Sequence, residues 1–362
     1  MRVLWVYESM NVQLQALALS VARQSDIDLE IMTRHVDRLP PELSHIPVTR
    51  IECRNKVDFR ARREIRHCVK KGQYDVVHAY TSRNFANLLA ACRGLRPLPK
   101  LIGYRGVIDR LHVLDPANWI THWHSRASAV TCVCHATKRA MQASGIPAAK
   151  LATVWEGCLP ETLQTPPRST LREFGIPTDA FVIGTVANIR PVKGVDLMLR
   201  AAAELATRRD IYWLVIGDKR DPLVTKLAAD RRISNCVKLP GARKHGGKYS
   251  GLFDIYVAPS RKEGLSMGIM EAMAQSVCPV VTDVGGNCEL IRNNIDGIVI
   301  PPEDHQALCR AVDELIDDPS KRTRLAQSAH ERLLHEFSIN AWADRLCEVY
   351  RRFATTGISS AA

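Results

Sequence analysis

The chain has 362 residues, of which 46% are hydrophobic and 24% are charged, and its formal net charge is +12. This composition is typical of a globular protein and excludes a disordered chain, and 362 residues suffice for two α/β domains. Residues 1–165 carry 23 Lys and Arg against 14 Asp and Glu. A basic first half favours an anionic partner, such as a membrane surface, a nucleic acid or an acidic substrate.

The cysteines and the N-terminus indicate the compartment. The eleven cysteines are scattered without a CxxC pair, which is typical of a reducing environment. The first ten residues, MRVLWVYESM, turn polar too early for a signal peptide, and no apolar run approaches the length of a membrane span. We therefore expect a cytoplasmic protein, either free or peripheral on the inner face of the membrane.

Strand-like runs alternate with helical patterns in the first half, which predicts a parallel sheet covered by helices. Strands are expected at 2–7, 29–33, 74–79, 101–104 and 129–134. In such sheets ligands bind at the carboxyl ends of the strands. The acceptor-side candidates near these ends are Glu8, His78 and Asp109, and a packed histidine at the strand end is the alternative for His78. Arg105 is the stronger candidate, because an arginine between a strand and a glycine is hard to explain by packing.

Residues 59–71, FRARREIRHCVKK, predict a basic amphipathic helix. Ala61, Ile65 and Cys68 or Val69 share one face. The cations on the remaining faces are Arg60, Arg62, Arg63, Arg66, Lys70 and Lys71. Such a helix suits an anionic lipid surface. An ordinary solvated surface helix is the alternative.

Metal-binding patterns are weak. His122 and His124 have no third ligand at a suitable spacing, so a structural role is favoured. The one D-x-D, Asp26 to Asp28, stands beside a predicted strand in the first half. The sequence therefore predicts no metal site and no cofactor.

A proline-rich stretch divides the chain, with prolines at 147, 160, 166 and 167. We place a boundary near Leu163, which gives domains at 1–163 and 164–337 and a C-terminal helix at 338–362 that packs back towards the first domain. The second domain repeats the alternation, with strands expected at 181–187, 212–216, 237–239, 255–258, 279–282 and 297–300.

The loop after the strand at 181–187 has the composition of an anion site. Asn188, Arg190, Lys193 and Gly194 precede a predicted helix. Cationic side chains at a helix N-terminus bind phosphate, because both the charges and the first-turn amides attract an anion.

The stretch PSRKEGLSMGIMEAMA, residues 259–274, holds two carboxylates eight positions apart, Glu263 and Glu271. Carboxylates accept hydrogen bonds from hydroxyls, and glycine permits a close approach of the backbone to a ligand. The flexible or small residues between and after them are Gly264, Ser266, Met267, Gly268, Gly285 and Gly286. This pattern suits a polyhydroxylated, phosphorylated ligand such as a nucleotide sugar.

Four segments taken together, VANIRPVKG, EGLSMGIMEAMA, VTDVGGNCELI and DGIVIPPED, resemble the retaining glycosyltransferases of the GT-B fold, specifically glycosyltransferase family 4. The resemblance covers most of residues 181–305. It implies an α/β protein with two Rossmann-like domains facing a cleft, a nucleotide-sugar donor and a glycan or glycolipid acceptor.

The resemblance also implies roles for the residues. Glu263 would bind donor-sugar hydroxyls, Glu271 the ribose and Lys193 the diphosphate, with amides near Ser266, Met267 and Gly268 assisting. The family usually has an arginine at the position of Asn188, so Arg190 is expected to supply that charge. Many relatives have a histidine where Arg105 stands, and a glycine-rich first loop that is missing here.

The expected chemistry is sugar transfer with retention of configuration and without a metal, because Lys193, Arg190 and a helix N-terminus can stabilise the leaving diphosphate. Cell-surface polysaccharide or lipopolysaccharide synthesis is the expected setting. The alternatives are a GT-B epimerase or phosphorylase, and a basic nucleic-acid-binding protein. The first gives no reason for the paired glutamates, and the second lacks interleaved aromatics and a recognised motif.

Overall fold

The computed structural model describes residues 1–206, 210–218 and 221–355. The chain forms two compact units, Met1–Gly157 joined by the chain from Ile339, and Cys158–Ser338. The change of unit after Gly157 comes a few residues before the predicted boundary near Leu163. Residues 356–362, the end of the predicted C-terminal segment, lie outside the described residues.

The first unit is built on a parallel sheet. Within residues 1–157, all of which the structure describes, the seven strands are β1 Arg2–Val6, β2 Asp28–Thr33, β3 Val48–Arg50, β4 Val76–Ala79, β5 Lys100–Arg105, β6 Ala129–Cys132 and β7 Leu151–Thr153. Their order is β3-β2-β1-β4-β5-β6-β7. The sequence analysis missed β3 and β7, because edge strands of three residues are too short to show a hydrophobic period.

Five helices connect these strands within the same residues: α1 Val12–Ala22, α2 Phe59–Gly72, α3 Ser82–Ala91, α4 Pro116–Trp119 and α5 His135–Ala143. Side-chain caps fix where they begin, as at α2, where the Asp58 carboxylate accepts from the Ala61 amide. Ala61, Ile65 and Val69 of α2 are buried, as their spacing predicted.

The second unit repeats the architecture. Its described strands are β8 Phe181–Val186, β9 Ile211–Ile216, β10 Val237–Gly241, β11 Ile255–Ala258, β12 Cys278–Thr282 and β13 Ile298–Ile300. They pair in parallel in the order β10-β9-β8-β11-β12-β13. Its described helices are α6 Val195–Glu204, α7 Pro222–Ala228, α8 Met267–Ala274, α9 Asn287–Leu290, α10 His305–Asp317 and α11 Pro319–Glu336.

The last described helix, α12 Ile339–Thr355, belongs to the first unit. The Trp5 indole donates to the Tyr350 hydroxyl at 2.8 Å, and Arg351 forms an ion pair with Asp26 at 2.8 Å. These contacts fix α12 against the first sheet. None of the described helices combines the length and the apolar character that a crossing of a lipid bilayer requires.

Each sheet reverses its strand order once, between β1 and β4 in the first unit and between β8 and β11 in the second. In open α/β sheets a crevice for ligands forms at such a reversal, at the carboxyl ends of the two strands. The loops after β8 and β11 are therefore neighbours, and they are the loops that carry the predicted anion site and the first glutamate.

Candidate active site

An ion pair joins the two loops at the strand reversal of the second unit. Lys193 Nζ lies 2.5 Å from Glu263 Oε2, and the two side chains are only 21% and 14% exposed. Ser260 also donates to this carboxylate at 3.4 Å. The structure thus brings together two residues that are 70 positions apart in the chain. The predicted phosphate-binding cation and the predicted sugar-binding carboxylate thus form an ion pair with each other.

Arg261 joins the same two loops without contacting the Lys193–Glu263 ion pair. Its guanidinium donates to both oxygens of Asp196, at 2.7 and 2.8 Å, and to the Pro191 carbonyl at 2.6 Å. Its third partner is Glu303. Burial alone would raise the pKa of Asp196, but the Arg261 bonds hold it below the ordinary value. Because Asp196 lies in the first turn of α6, Arg261 fixes the Lys193 loop against the Glu263 loop.

Two glycines permit the close packing of these loops. Gly194 has φ +65°, and a Cβ there would lie 1.9 Å from the Pro259 carbonyl oxygen. A Cβ on Gly268 would lie 2.3 Å from the Tyr256 hydroxyl, which donates to the Val186 carbonyl at 3.3 Å. Larger residues would force the segments apart.

Glu271 lies on α8 with its carboxylate against the backbone of Gly247, where a Cβ would be 2.2 Å from the carboxylate carbon. No residue in the described part of the chain donates a hydrogen bond to this carboxylate. Burial raises the pKa of Glu271 to about 7. After burial, the charges of Glu271 and Glu263 both raise the pKa of Tyr256, so the two glutamates lie near one tyrosine. Glu271 is thus a half-buried carboxylate whose oxygens can accept hydrogen bonds from hydroxyls.

The remaining donor-side candidates lie on the loops after β8, β11 and β12 and in the first turn of α8. Ser266 precedes α8 and is buried, while Asn188 and Arg190 are exposed after β8. The Gly286 amide donates to the Gly264 carbonyl at 2.9 Å, and Gly285 has φ +58°. The glycine pair after β12 is thereby joined to the loop that carries Glu263. Met267 is the first residue of α8.

The acceptor-side candidates of the first unit are not equivalent. Glu8 follows β1 and pairs with Arg83 at 3.1 Å. Arg105 ends β5 and donates to the carbonyls of Val107 and Asp109, at 3.2 and 3.0 Å. Burial lowers the pKa of Arg105. These groups stay at the carboxyl edge of the first sheet, as expected from the positions of the strands.

His78 is the exception. Its side chain is fully buried, with Nδ1 2.7 Å from the Tyr350 hydroxyl and Nε2 3.2 Å from Thr131 Oγ1. Burial lowers its pKa to about 3. A sugar acceptor cannot reach a ring enclosed in this way. The prediction that His78 contacts the sugar acceptor is therefore wrong, and His78 has a structural role in anchoring α12.

The basic residues of α2 are also divided. Arg60 pairs with Glu64 at 2.9 Å, Arg62 donates to Asn87 at 3.1 Å, and Arg66 donates to the carbonyls of Ala91 and Arg93. These three cations therefore have partners inside the unit. The exposed cations of the helix are Arg60, Arg63, Lys70 and Lys71, and Arg60 is the one of these that pairs with Glu64.

The residues of the metal-like patterns have other surroundings, because arginines pair with both aspartates and His122 is buried. Asp26 pairs with Arg351, which holds its pKa at about 2, and Asp28 pairs with Arg2 at 3.0 Å. His122 is buried, and burial lowers its pKa to about 3. Across the described residues, no group of three His, Cys, Asp or Glu side chains is arranged to hold a metal ion.

Sequence comparison assigns the family. Residues 10–159 match the family described as Glycosyltransferase Family 4, and residues 168–332 match Glycosyl transferases group 1. The chain belongs to glycosyltransferase family 4. The two matches together span most of both units, and they include the Lys193 loop and both glutamates.

Individual relatives agree with this family assignment. The chain is 35% identical to an alpha-D-kanosaminyltransferase of Streptomyces kanamyceticus over 189 residues, which are 51% of this chain and 49% of that protein. It is 31% identical over 170 residues to the lipopolysaccharide core biosynthesis glycosyltransferase LpsE of Rhizobium meliloti, covering 46% and 49% of the two chains. The match thus spans about half the length of these curated relatives.

Solved structures show the fold. The crystal structure of Anabaena HepE in complex with UDP-glucose superimposes with a TM-score of 0.78 at 19% identity, covering 97% of this chain and 100% of that one. The fold of this family 4 member is therefore GT-B, with two Rossmann-like parallel-sheet units.

Several residues of the site were not found from the sequence. Arg261 and Asp196 pair across 65 positions, and no local pattern indicates such a contact. Gly246 and Gly247 follow β10, and ligands bind at the carboxyl ends of strands in such sheets, so Gly247 could have been predicted as a site residue from the sequence. Tyr256 lies inside a buried strand, where an aromatic residue is ordinarily interpreted as core.

Proposed function

We propose that the protein transfers a sugar from a nucleotide-diphosphate sugar to a hydroxyl of a glycan or glycolipid, with retention of configuration and without a metal. The observation that carries this proposal is the pairing of Lys193 with Glu263 near the half-buried carboxylate of Glu271, to which no described side chain donates. One cation and two carboxylates in a small region suit a ligand with a diphosphate and two sets of hydroxyls.

Each group has a role in donor binding. Glu271 accepts hydrogen bonds from the ribose hydroxyls, and Glu263 accepts from those of the transferred sugar. Lys193 and the exposed Arg190 attract the diphosphate, and the first amides of α8, near Ser266, Met267 and Gly268, add backbone donors. Asn188, Gly264, Gly285 and Gly286 line the surrounding loops.

The transfer needs no nucleophile from the protein. The bond between the anomeric carbon and the donor phosphate oxygen breaks, and a bond forms from that carbon to the acceptor oxygen on the same face. The acceptor proton passes to an oxygen of the leaving diphosphate. Lys193 and Arg190 stabilise the negative charge that develops there, which is the role a metal plays in other transferases.

The acceptor side belongs to the first unit. Glu8, Asp109 and Arg105, at the carboxyl edge of its sheet, are the candidates for acceptor contacts. A surface glycan or lipopolysaccharide acceptor accords with the name of the Rhizobium relative. Such an acceptor suits a protein in the cytoplasm that attaches peripherally to the inner face of the membrane, with Arg63, Lys70 and Lys71 as exposed cations.

A donor screen tests the proposal. Thermal unfolding in the presence of UDP-, GDP- and ADP-sugars should show a raised midpoint with one of them, because a bound ligand stabilises the folded state. The Glu271→Ala variant should lose that shift, whereas Glu173→Ala, an exposed glutamate in the same unit, should keep it. No shift with any nucleotide sugar would contradict the proposal. Transfer that needs Mg²⁺ or Mn²⁺ after EDTA treatment would contradict its metal-free part.

A further inference from the structure

Large apolar side chains are exposed at the carboxyl edge of the first sheet. In the loop after β5, Leu114 is 96%, Val113 66% and Trp119 53% exposed, and Val107 and Ile120 are also exposed. In the loop before α2 and at its first residue, Val57 and Phe59 are exposed, Phe59 at 77%. Exposed apolar residues that cluster in this way mark interaction surfaces, whereas scattered ones need no explanation.

The loop after β5 presents these residues from a braced backbone. The Trp119 indole donates to the Val113 carbonyl at 2.8 Å, and Asn118 donates to the His112 carbonyl at 3.1 Å. Asp115 caps the short helix α4 through the Ala117 amide at 2.9 Å. Leu114 therefore stands at the tip of a turn that its neighbours hold in shape, so its exposure is a property of the fold.

Two contacts place the apolar loops close to each other. His122, in the segment after β5, has its ring 6.0 Å from the ring of Phe85 on α3. Arg62 lies over the Phe59 ring, 5.3 Å from its centroid, and donates to the Lys56 carbonyl and to Asn87 of α3. Both loops therefore adjoin α3.

The surroundings of these apolar residues are cationic. Residues 54–63 contain five arginines and lysines and one acidic residue, Asp58, which is used as the helix cap. The loop after β5 adds Arg105 and Arg110, balanced by Asp109 and Asp115. Apolar side chains with an excess of nearby cations are complementary to an anionic lipid surface, whose headgroups attract the cations while its acyl boundary accepts the apolar groups.

We propose that Phe59, Val113, Leu114 and Trp119 enter the boundary of an anionic lipid bilayer and that Lys56 and Arg110 contact its headgroups. This inference rests on the proposed function in one respect, since a glycolipid acceptor is presented by a membrane. It relocates the membrane contact from the face of α2 to the loops at the carboxyl edge. The apolar residues of α2, Ala61, Ile65 and Val69, are buried within the unit, and Arg62 and Arg66 bond to neighbouring groups there.

Vesicle binding by the full chain tests the surface. Wild type should bind phosphatidylglycerol-containing vesicles and bind pure phosphatidylcholine weakly. Val113→Ser with Leu114→Ser, and separately Phe59→Ser, should each weaken binding about tenfold, because each change removes the transfer of a large apolar side chain from water. The matched controls are Leu98→Ser and Leu334→Ser, exposed leucines outside the apolar loops that should leave binding unchanged.

Lipid quenching supplies a second measurement. Brominated acyl chains should quench wild-type tryptophan emission on binding. Trp119→Phe should reduce that quenching, because Trp119 is the most exposed tryptophan, while Trp5, Trp213 and Trp342 are buried and Trp123 and Trp155 are partly buried. All of the substituted side chains are exposed, so thermal midpoints should stay within a few degrees of wild type.

The outcomes separate this inference from the proposed function. The inference is overturned if wild type does not bind anionic vesicles, or if the apolar variants bind them as well as the leucine controls do. It is also overturned if only the charge-reversal variant, Lys56→Glu with Arg110→Glu, weakens vesicle binding. It is also overturned if the apolar variants bind vesicles normally but fail to transfer sugar to a soluble acceptor, which would assign the surface to the acceptor. Calorimetry with a nucleotide sugar is independent: its failure, with vesicle binding intact, contradicts only the proposed function.

Discussion

The two units share a fold but differ in what they place at the carboxyl ends of their strands. In the second unit these ends carry an ion pair, a bidentate arginine clamp and glycines that bring backbone segments together. In the first unit they carry packed tyrosines, with the rings of Tyr7 and Tyr80 stacked at 3.9 Å, and loops with exposed apolar tips.

This difference shows that the sheet fixes where ligands bind while the loop residues fix what they are. Charged groups and close backbone approach suit a small polyanion with many hydroxyls. Apolar tips and nearby cations suit an amphipathic partner. The following substitutions test whether the two edges are as different as their residues indicate.

The largest effect is expected at Lys193. Lys193→Ala should lower kcat/KM by about 10²–10³-fold, because it removes a charge that stabilises the leaving diphosphate and leaves Glu263 half-buried without its partner. Steady-state kinetics with the donor identified by the thermal screen provide the measurement. Lys226→Ala, at an exposed position on α7, is the control, and equal kinetics for the two variants would refute the role of Lys193.

Glu271 should make both stability and donor binding depend on pH. Its pKa is raised by burial to about 7, so its favourable contribution to stability is complete below pH 4.5 and is lost as the pH rises through about 7. Glu271→Gln should therefore increase the free energy of unfolding at pH 8 by about 1–3 kcal/mol and flatten its pH dependence. Denaturant unfolding at several pH values measures this effect.

The same ionisation should strengthen binding of a nucleotide sugar as the pH rises from 6 to 8, because the ionised carboxylate is the better acceptor for ribose hydroxyls. Glu173→Gln serves as the control in both experiments. A wild-type affinity that is constant over this range would remove Glu271 from the ribose site.

Arg261 should act through Lys193. Arg261→Ala should lower kcat/KM about tenfold, since it releases Asp196 and the Pro191 carbonyl from the Lys193 loop. In a Lys193→Ala background the same change should cost much less, and this double-mutant cycle is the measurement. Arg232→Ala, which removes an exposed pair with Asp230, is the matched control. Additive losses would mean that Arg261 has a separate role.

The smallest effect is expected from Tyr350→Phe in the first unit. It removes a hydroxyl that bonds the Trp5 indole and His78, so the free energy of unfolding should fall by about 1–3 kcal/mol. Donor KM should not change, because these contacts anchor α12. A changed donor KM with unchanged stability would contradict the structural role given to His78.

Local sequence patterns predicted the strands of the second unit and selected Lys193 and Glu263 separately, but they did not predict the short helices α7 and α9 or the pairing of the two residues. Lys193 and Glu263 stand in segments whose glycines and charges are adjacent in the chain, so short patterns revealed them. The Arg261–Asp196 clamp could not be predicted, since it depends on how α6 packs beside the loop after β11.

His78 illustrates the opposite difficulty. A histidine at the end of a parallel strand has the right position for a ligand contact, but α12, more than 250 residues later in the chain, covers it. Burial by a distant element leaves no trace in the local pattern. The braced loop after β5 is similar, because its exposed leucine is distinguishable from a buried one only when the fold is known.

The ion pair between Lys193 and Glu263 has a consequence for how the site would discriminate among small anions. A free diphosphate that captured Lys193 would deprive Glu263 of its counter-charge and leave a poorly solvated carboxylate behind. We expect a complete nucleotide sugar to compensate both groups at once, with its phosphates on the cation and its hydroxyls on the carboxylate. A nucleotide sugar should therefore bind more tightly by calorimetry than the diphosphate it leaves behind, and Glu263→Gln should reduce that difference.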